Sequence, residues 1–167
     1  MTNKPPTTAP TGRVASLHLH PPEPGEPLRA VTEIEVIEGR GIANNPRYFG
    51  RPTRRQVTLI GREQIAEHAA TLGLESIAPG LVRSNIETDG IDLIALLGQK
   101  VRVGEALLLF YDPRTPCHKM DLVAPGLREL MKDKRQGVLA QVLGSGKIRL
   151  GDRLTIEATP LPRSAGL

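Results

Sequence analysis

Aromatic residues are almost missing from this sequence. They make up 2% of the 167 residues, and there is no tryptophan. The core must therefore be built from valine, isoleucine, leucine and alanine, a set rich in the β-branched residues that favour strands. The same scarcity leaves few side chains on which nucleic-acid bases can stack. Nucleic acid is therefore not the predicted partner, even though the net charge is +4.

Cysteine and long apolar runs are also scarce. The single cysteine excludes an internal disulfide framework. No apolar run near the N-terminus resembles a signal peptide or reaches the length of a membrane span. We therefore predict a cytoplasmic protein with no membrane association. The length fits one domain, predicted at 13–158, between a disordered tail at 1–12 and a C-terminal tail at 159–167.

Glycine and proline are frequent, with 17 and 15 residues. They divide the chain into short segments, several of which alternate between apolar and polar residues as half-buried strands do. The pattern predicts strands at 14–20, 30–38, 56–60, 81–88, 100–103, 106–111, 138–143, 147–150 and 153–158. It predicts helices at 62–72, 91–97 and 125–132. Segments 138–143 and 147–150 are predicted to pair as a hairpin. The predicted fold is mainly β (α+β), a mostly antiparallel β-barrel with two or three short peripheral helices.

The only cysteine, Cys117, lies in a polar loop at 111–121 that follows a predicted strand. Buried structural cysteines have aliphatic neighbours, whereas this one is close to Arg114, His118 and Lys119, cations that favour a thiolate. Two aspartates of the same loop oppose that effect. The residues alone leave two interpretations open, a reactive thiol or a small inert side chain.

Arginines and one asparagine form a second group of candidate ligand-binding residues. Four arginines between positions 47 and 55 precede the predicted strand at 56–60. In the predicted strand at 81–88, alternation places Arg83 and Asn85 on one side. Guanidinium groups bind oxyanions, and an amide both donates and accepts hydrogen bonds. A solvated polar surface remains the alternative for both groups.

The other histidines are not predicted to take part in chemistry. His18 and His20 alternate with two leucines, which places them on a solvated strand face rather than at a metal, because no third ligand is near in the sequence. His68 lies off the apolar stripe of the predicted helix at 62–72 and is expected to be exposed.

Several motifs in a fixed order resemble the MOSC domain, the module found at the C-terminus of molybdenum cofactor sulfurases, in amidoxime-reducing molybdoenzymes and as small stand-alone bacterial proteins. The resemblance extends over about residues 13–158. It rests on the segments 39–42, 55–60, 83–92, 103–106, 116–117, 135–138 and 146–152.

The resemblance implies a β-rich barrel and a molybdenum-pterin site. Cys117 matches the family cysteine that is the protein ligand of molybdenum, and His118 beside it is a second candidate catalytic residue. Arg55, Arg83 and Asn85 match family positions, and together with Arg135 they are the implied cofactor-binding residues. The segment 43–46 departs from the family, since Ala-Asn-Asn-Pro replaces the Gly-Asp of many members and removes a carboxylate expected near the site.

Three functions follow as hypotheses. The first is a protein that binds the molybdenum cofactor through Cys117 and reduces N-hydroxylated small molecules with electrons from a redox partner. The second is a sulfur carrier, in which Cys117 receives a persulfide from a cysteine desulfurase and passes it on for assembly of a metal-sulfur cluster or cofactor. The third is a non-catalytic ligand-binding barrel.

The sequence leaves open whether the chain is an enzyme, as a molybdenum-dependent oxidoreductase or a sulfur-transfer protein. Pyridoxal phosphate, on which a desulfurase depends, is not expected in this chain, because no domain is large enough to bind it.

Overall fold

A computed structural model describes residues 11–157. The strands are β1 (Thr11–Leu19), β2 (Arg29–Val31), β3 (Glu33–Ile37), β4 (Gly41–Ile42), β5 (Val57–Gly61), β6 (Ile86–Asp89), β7 (Lys100–Val103), β8 (Ala106–Pro113), β9 (Val138–Gly144), β10 (Gly146–Arg149) and β11 (Arg153–Ile156). The helices are α1 (Arg62–Thr71), α2 (Lys119–Val123) and α3 (Leu127–Leu130), with a single 3-10 turn at Ile94–Leu96.

Seven strands close into a barrel in the order β11-β7-β8-β9-β5-β6-β1, because β1 also pairs with β11. Neighbouring strands are antiparallel except β5 and β6, which are parallel and joined through α1. Strand β2 extends the sheet at the outer end of β1, and β10, β3 and β4 form a separate small sheet. The predicted mostly antiparallel barrel with short helices is confirmed.

Two apolar clusters hold the elements in place. The larger fills the barrel with alternate residues of its strands, such as Leu108 and Phe110 of β8 and Ala140 and Val142 of β9. Alternation works here because successive side chains of a strand point to opposite faces. The smaller cluster lies under the helices, where residues of α1, α2 and α3 pack together: Ile65, Ala69, Met120, Leu127 and Met131. This second cluster fixes α2, and therefore the loop that carries Cys117.

Two local predictions are wrong. Residues 81–85 are not a strand, since β6 begins at Ile86 and Arg83 has a left-handed backbone with φ of 63°. The predicted hairpin does not form either. Strand β9 pairs with β8 on one edge and β5 on the other, so it has no free edge for β10, which pairs with β3 instead.

The histidine predictions were also wrong. His18 and His68 are 1% and 3% exposed. His18 Nδ1 donates to the carbonyl of Ser84 at 3.1 Å, and His68 Nε2 donates to the carbonyl of Arg135 at 2.7 Å. Each ring is buried because a backbone carbonyl satisfies its polar nitrogen, as burial of a polar group requires.

The predicted tails lie largely in residues 1–10 and 158–167, outside the described residues. Thr11 and Gly12 belong to β1, where they pair with Thr155 and Leu154 of β11. Between residues 11 and 157, no helix has the length and apolar character needed to cross a membrane.

Candidate functional site

Cys117 is an exposed thiol at the start of α2. Strand β8 leads into its loop, and the backbone N–H of Arg114 donates to the carbonyl of Gly137 at 3.0 Å. On the other side, the N–H of Met120 donates to the carbonyl of Cys117 at 3.1 Å, and the Met120 side chain is buried among the helices. The thiol therefore lies on a loop that is anchored at both ends.

Arg114 is a buried cation beneath this loop. It is 8% exposed, and its Nη1 donates to Ser84 Oγ at 3.0 Å and to the Val82 carbonyl at 3.3 Å. The pKa of Arg114 is lowered to about 10, mainly by burial and also by the charges of Arg55 and Arg83, while Cys117 and Tyr48 act in the opposite direction. At neutral pH the group is still cationic, so a positive charge is buried beneath the Cys117 loop.

His20 is the second unexpected member of the site. Its ring contacts Tyr48 edge to face, with centroids 4.7 Å apart. The pKa of His20 is lowered to about 3, first by burial and then by the positive charges of four arginines, Arg83, Arg114, Arg47 and Arg55. The imidazole is therefore neutral at neutral pH. The prediction of a solvated face was wrong for this residue as well.

Asn85 connects His20 to the barrel wall. Its Oδ1 accepts from the N–H and the hydroxyl of Thr58, both at 3.0 Å, which fixes the orientation of the amide. Its Nδ2 then donates to the His18 carbonyl at 3.2 Å and approaches His20 Nδ1 at 3.4 Å. Because His20 Nδ1 faces a donor, the ring proton resides on Nε2.

Asn45 stands in the segment that departs from the family pattern. It is 1% exposed, and its Oδ1 accepts the backbone N–H of His20 at 2.8 Å. An amide therefore holds His20 in place here. Asn45, Asn85 and His20 line a cavity of about 20 Å³, enough for roughly one water molecule.

Two arginines of the site have buried nitrogens without a partner. Arg47 Nη1 and Arg83 Nη2 are the only buried side-chain nitrogens between residues 11 and 157 that make no hydrogen bond. Arg83 is also held in the uncommon left-handed backbone conformation, and its Nη1 donates to the Glu26 carbonyl at 3.0 Å. Buried unpaired donors are costly, so their concentration around His20 indicates a place for an anion.

The remaining arginines of the basic segment lie beside the same site. Arg55 is exposed and its charge acts on both His20 and Arg114. Arg54 stacks over the Tyr111 ring at 4.2 Å from its centroid. Arg54 therefore connects this largely exposed segment to Tyr111 of strand β8, the strand that leads into the Cys117 loop.

A sequence profile described as the MOSC domain matches residues 25–155. The chain belongs to the MOSC domain family. No curated protein sequence matches it. The family is associated with molybdenum cofactor sulfurase and with YiiM-type proteins.

Solved structures share this MOSC fold at low sequence identity. The YuaD protein from Bacillus subtilis is 19% identical with a TM-score of 0.72, covering 89% of this chain and 97% of that one. YiiM from Geobacillus stearothermophilus is 18% identical with a TM-score of 0.70, covering 90% and 77%. YiiM from Escherichia coli is 23% identical with a TM-score of 0.64, covering 92% and 71%. At these identities the likeness concerns the fold.

The MOSC barrel brings together most of the residues singled out from the sequence. Arg55, Arg83 and Asn85 surround His20, and His118 lines a cleft together with Arg83. Arg135 is placed elsewhere. It is exposed, its Nε donates to the Lys132 carbonyl at 3.0 Å, and its backbone contacts α1 through His68.

Sequence reasoning did not place His20, Asn45 or Tyr48 in the site. It also did not predict that Arg47 has a buried nitrogen or that Arg114 is buried. The one usable signal was the density of arginines at 47–55. Nothing local in the sequence indicates that β1 delivers His20 to that segment, because the contact depends on the closed barrel.

Proposed function

We propose that this MOSC domain binds the molybdenum cofactor with Cys117 as the metal ligand and reduces N-hydroxylated compounds. The observation that carries the proposal is the pair of buried, unpartnered guanidinium nitrogens on Arg47 and Arg83, whose charges act on His20, in a chain whose one thiol is exposed. Thiolate sulfur is a soft ligand suited to a thiophilic metal, and arginine forks match phosphate oxygens. The donor set therefore fits the group.

The residues of the site have different roles in this proposal. Arg47, Arg55 and Arg83 bind the anionic groups of the cofactor, and Arg114 keeps a buried positive charge beneath the Cys117 loop. The neutral ring of His20 offers its Nε2–H as a hydrogen-bond donor, with its tautomer held by Asn85. The bound cofactor supplies two-electron redox chemistry.

The overall reaction requires an external reductant. One N–O bond of the substrate breaks, two electrons from a redox partner protein and two protons are consumed, and the N–H product and water leave. The chain's own contribution is to bind the anionic groups and to keep a neutral donor beside them.

Metal and pterin analysis tests the proposal on protein from a host that makes the cofactor. We expect molybdenum and pterin to co-purify with the natural chain. Cys117→Ser should lose the metal, and Arg83→Gln should lose both. Arg153→Gln changes an exposed arginine of β11 and is the matched control, expected to retain both. Natural protein that is free of both metal and pterin contradicts the proposal.

The exposure of Cys117 favours a second function, a sulfur carrier. In that reaction the Cys117 thiolate attacks the outer sulfur of a desulfurase persulfide, a new S–S bond forms on Cys117, and the desulfurase thiolate leaves. Intact mass after incubation with a cysteine desulfurase and cysteine distinguishes the two functions. A carrier gains the mass of one sulfur atom, and Cys117→Ser does not.

A further inference from the structure

A cleft of about 510 Å³ opens at the start of α2, just after Cys117 in the chain. The two residues that follow the cysteine, His118 and Lys119, line it, and the segments 25–28 and 79–83 form its other walls. The volume falls within the range of small-molecule sites, about 300–1,000 Å³. Anything bound in the cleft therefore contacts the residues that directly follow the thiol in the chain.

Most of the cleft wall is apolar. Leu122 and Leu81 are 82% and 47% exposed, and they are two of only four large apolar side chains that are exposed between residues 11 and 157. Both line this cleft, together with Leu28 and Val123. Leucine side chains that face water at one cleft gain from contact with an apolar ligand.

The charged side chains that line the cleft are positive. Arg83 and Lys119 line the cleft, and no acidic side chain is among its lining residues. Arg83 also carries the buried Nη2 that makes no hydrogen bond within the described part of the chain. The cleft therefore complements a negative charge at one end and an apolar body at the other.

The cofactor itself does not match this wall. A pterin is a ring rich in heteroatoms, which need hydrogen-bond partners when they leave water. Leu28, Leu81, Leu122 and Val123 have no polar side-chain atoms to offer it. The arginines around His20 suit the cofactor, and the cleft suits a second molecule.

We propose that the cleft binds the substrate of this site, and that the substrate is an apolar organic anion. Its hydrocarbon body packs against Leu81 and Leu122, and its anionic group interacts with Lys119, which leaves Arg83 to the cofactor. The assignment of this ligand as substrate rests on the proposed function, which makes Cys117 the centre of the chemistry. The prediction that the ligand is an apolar anion depends only on the residues that line the cleft.

A pair of matched fluorescent probes tests the ligand class on the natural chain. Anilinonaphthalene sulfonate is an apolar anion, and N-phenylnaphthylamine has the same ring system without the charge. We expect the anion to bind about tenfold more tightly, since a charge-assisted contact has this order of effect. Equal affinity for the two probes would overturn the proposal.

Variants then locate the probe. Leu122→Gln and Leu81→Gln should weaken both probes about threefold to tenfold, and Lys119→Gln should weaken only the anion. Leu150→Gln is the control for the leucines, because Leu150 is 46% exposed but does not line the cleft. Lys100→Gln is the control for the lysine. If the controls weaken binding as much as the cleft variants do, the site is elsewhere and the proposal is wrong.

Alkylation of Cys117 tests the connection to the thiol. The chain has a single cysteine, so intact mass after iodoacetamide treatment reports on Cys117 alone. Saturating anilinonaphthalene sulfonate should slow the reaction several-fold, and an unchanged rate would refute placement beside Cys117. These measurements need no cofactor. If the anionic probe binds in the cleft but no molybdenum co-purifies with the chain, the ligand class is retained and the proposed function is rejected. If molybdenum co-purifies but the anionic probe does not bind in the cleft, only the ligand class is rejected.

Discussion

Replacing Asn85 with alanine should lower the free energy of unfolding by about 4 kcal/mol. The side-chain amide accepts two hydrogen bonds from Thr58 and donates to the His18 carbonyl, and all three residues are at most 4% exposed. Alanine leaves the Thr58 N–H and the His18 carbonyl buried without that partner. Each such group costs about 1–3 kcal/mol, which sums to about 2–6 kcal/mol before the cavity is counted.

Urea unfolding of the cofactor-free protein, followed by circular dichroism, measures this loss. Gln99→Ala, a change at an exposed polar residue, is the control and should stay within about 0.5 kcal/mol of the natural chain. The result that refutes the reasoning is an Asn85→Ala protein of natural stability that no longer binds the cofactor. Asn85 would then be a ligand-binding group rather than a structural tie for His20.

Three further predictions concern the stability of the fold. Thr88→Val should raise the free energy of unfolding by about 1 kcal/mol, because Thr88 is fully buried and its hydroxyl has no partner; urea unfolding that shows a loss of stability would contradict this. The pKa of His20 falls from 6.5 to about 3 on folding, so stability should decrease as pH falls from about 6.5 towards 3, and less steeply in His20→Gln; equal slopes in unfolding titrations would argue against a buried neutral ring. Gly137→Ala should destabilise by more than about 1 kcal/mol, since its φ is 75° and a Cβ there would collide with the Leu59 carbonyl; thermal unfolding at the natural midpoint would disprove it.

The local sequence determined where most strands lie. Alternation placed β5, β8 and β9 within about two residues of their observed ends and β1 within three, because side chains that alternate between two environments leave a period of two in the sequence. The aliphatic composition and the frequent glycines and prolines were enough to indicate a barrel of short strands. The order of the motifs indicated the MOSC family, which the profile match over residues 25–155 confirms.

Tertiary structure alone decided which polar residues are buried. Alternation shows that His18 and His20 share a face of β1, but it does not show that other elements cover that face, since the covering segments at 43–49 and 81–85 are far away in the sequence. The pairing of β10 with β3 and the position of Arg135 next to α1 were also decided by contacts between distant segments. Strand edges pair and cavities form between segments that are remote in the chain, and no local pattern records those contacts.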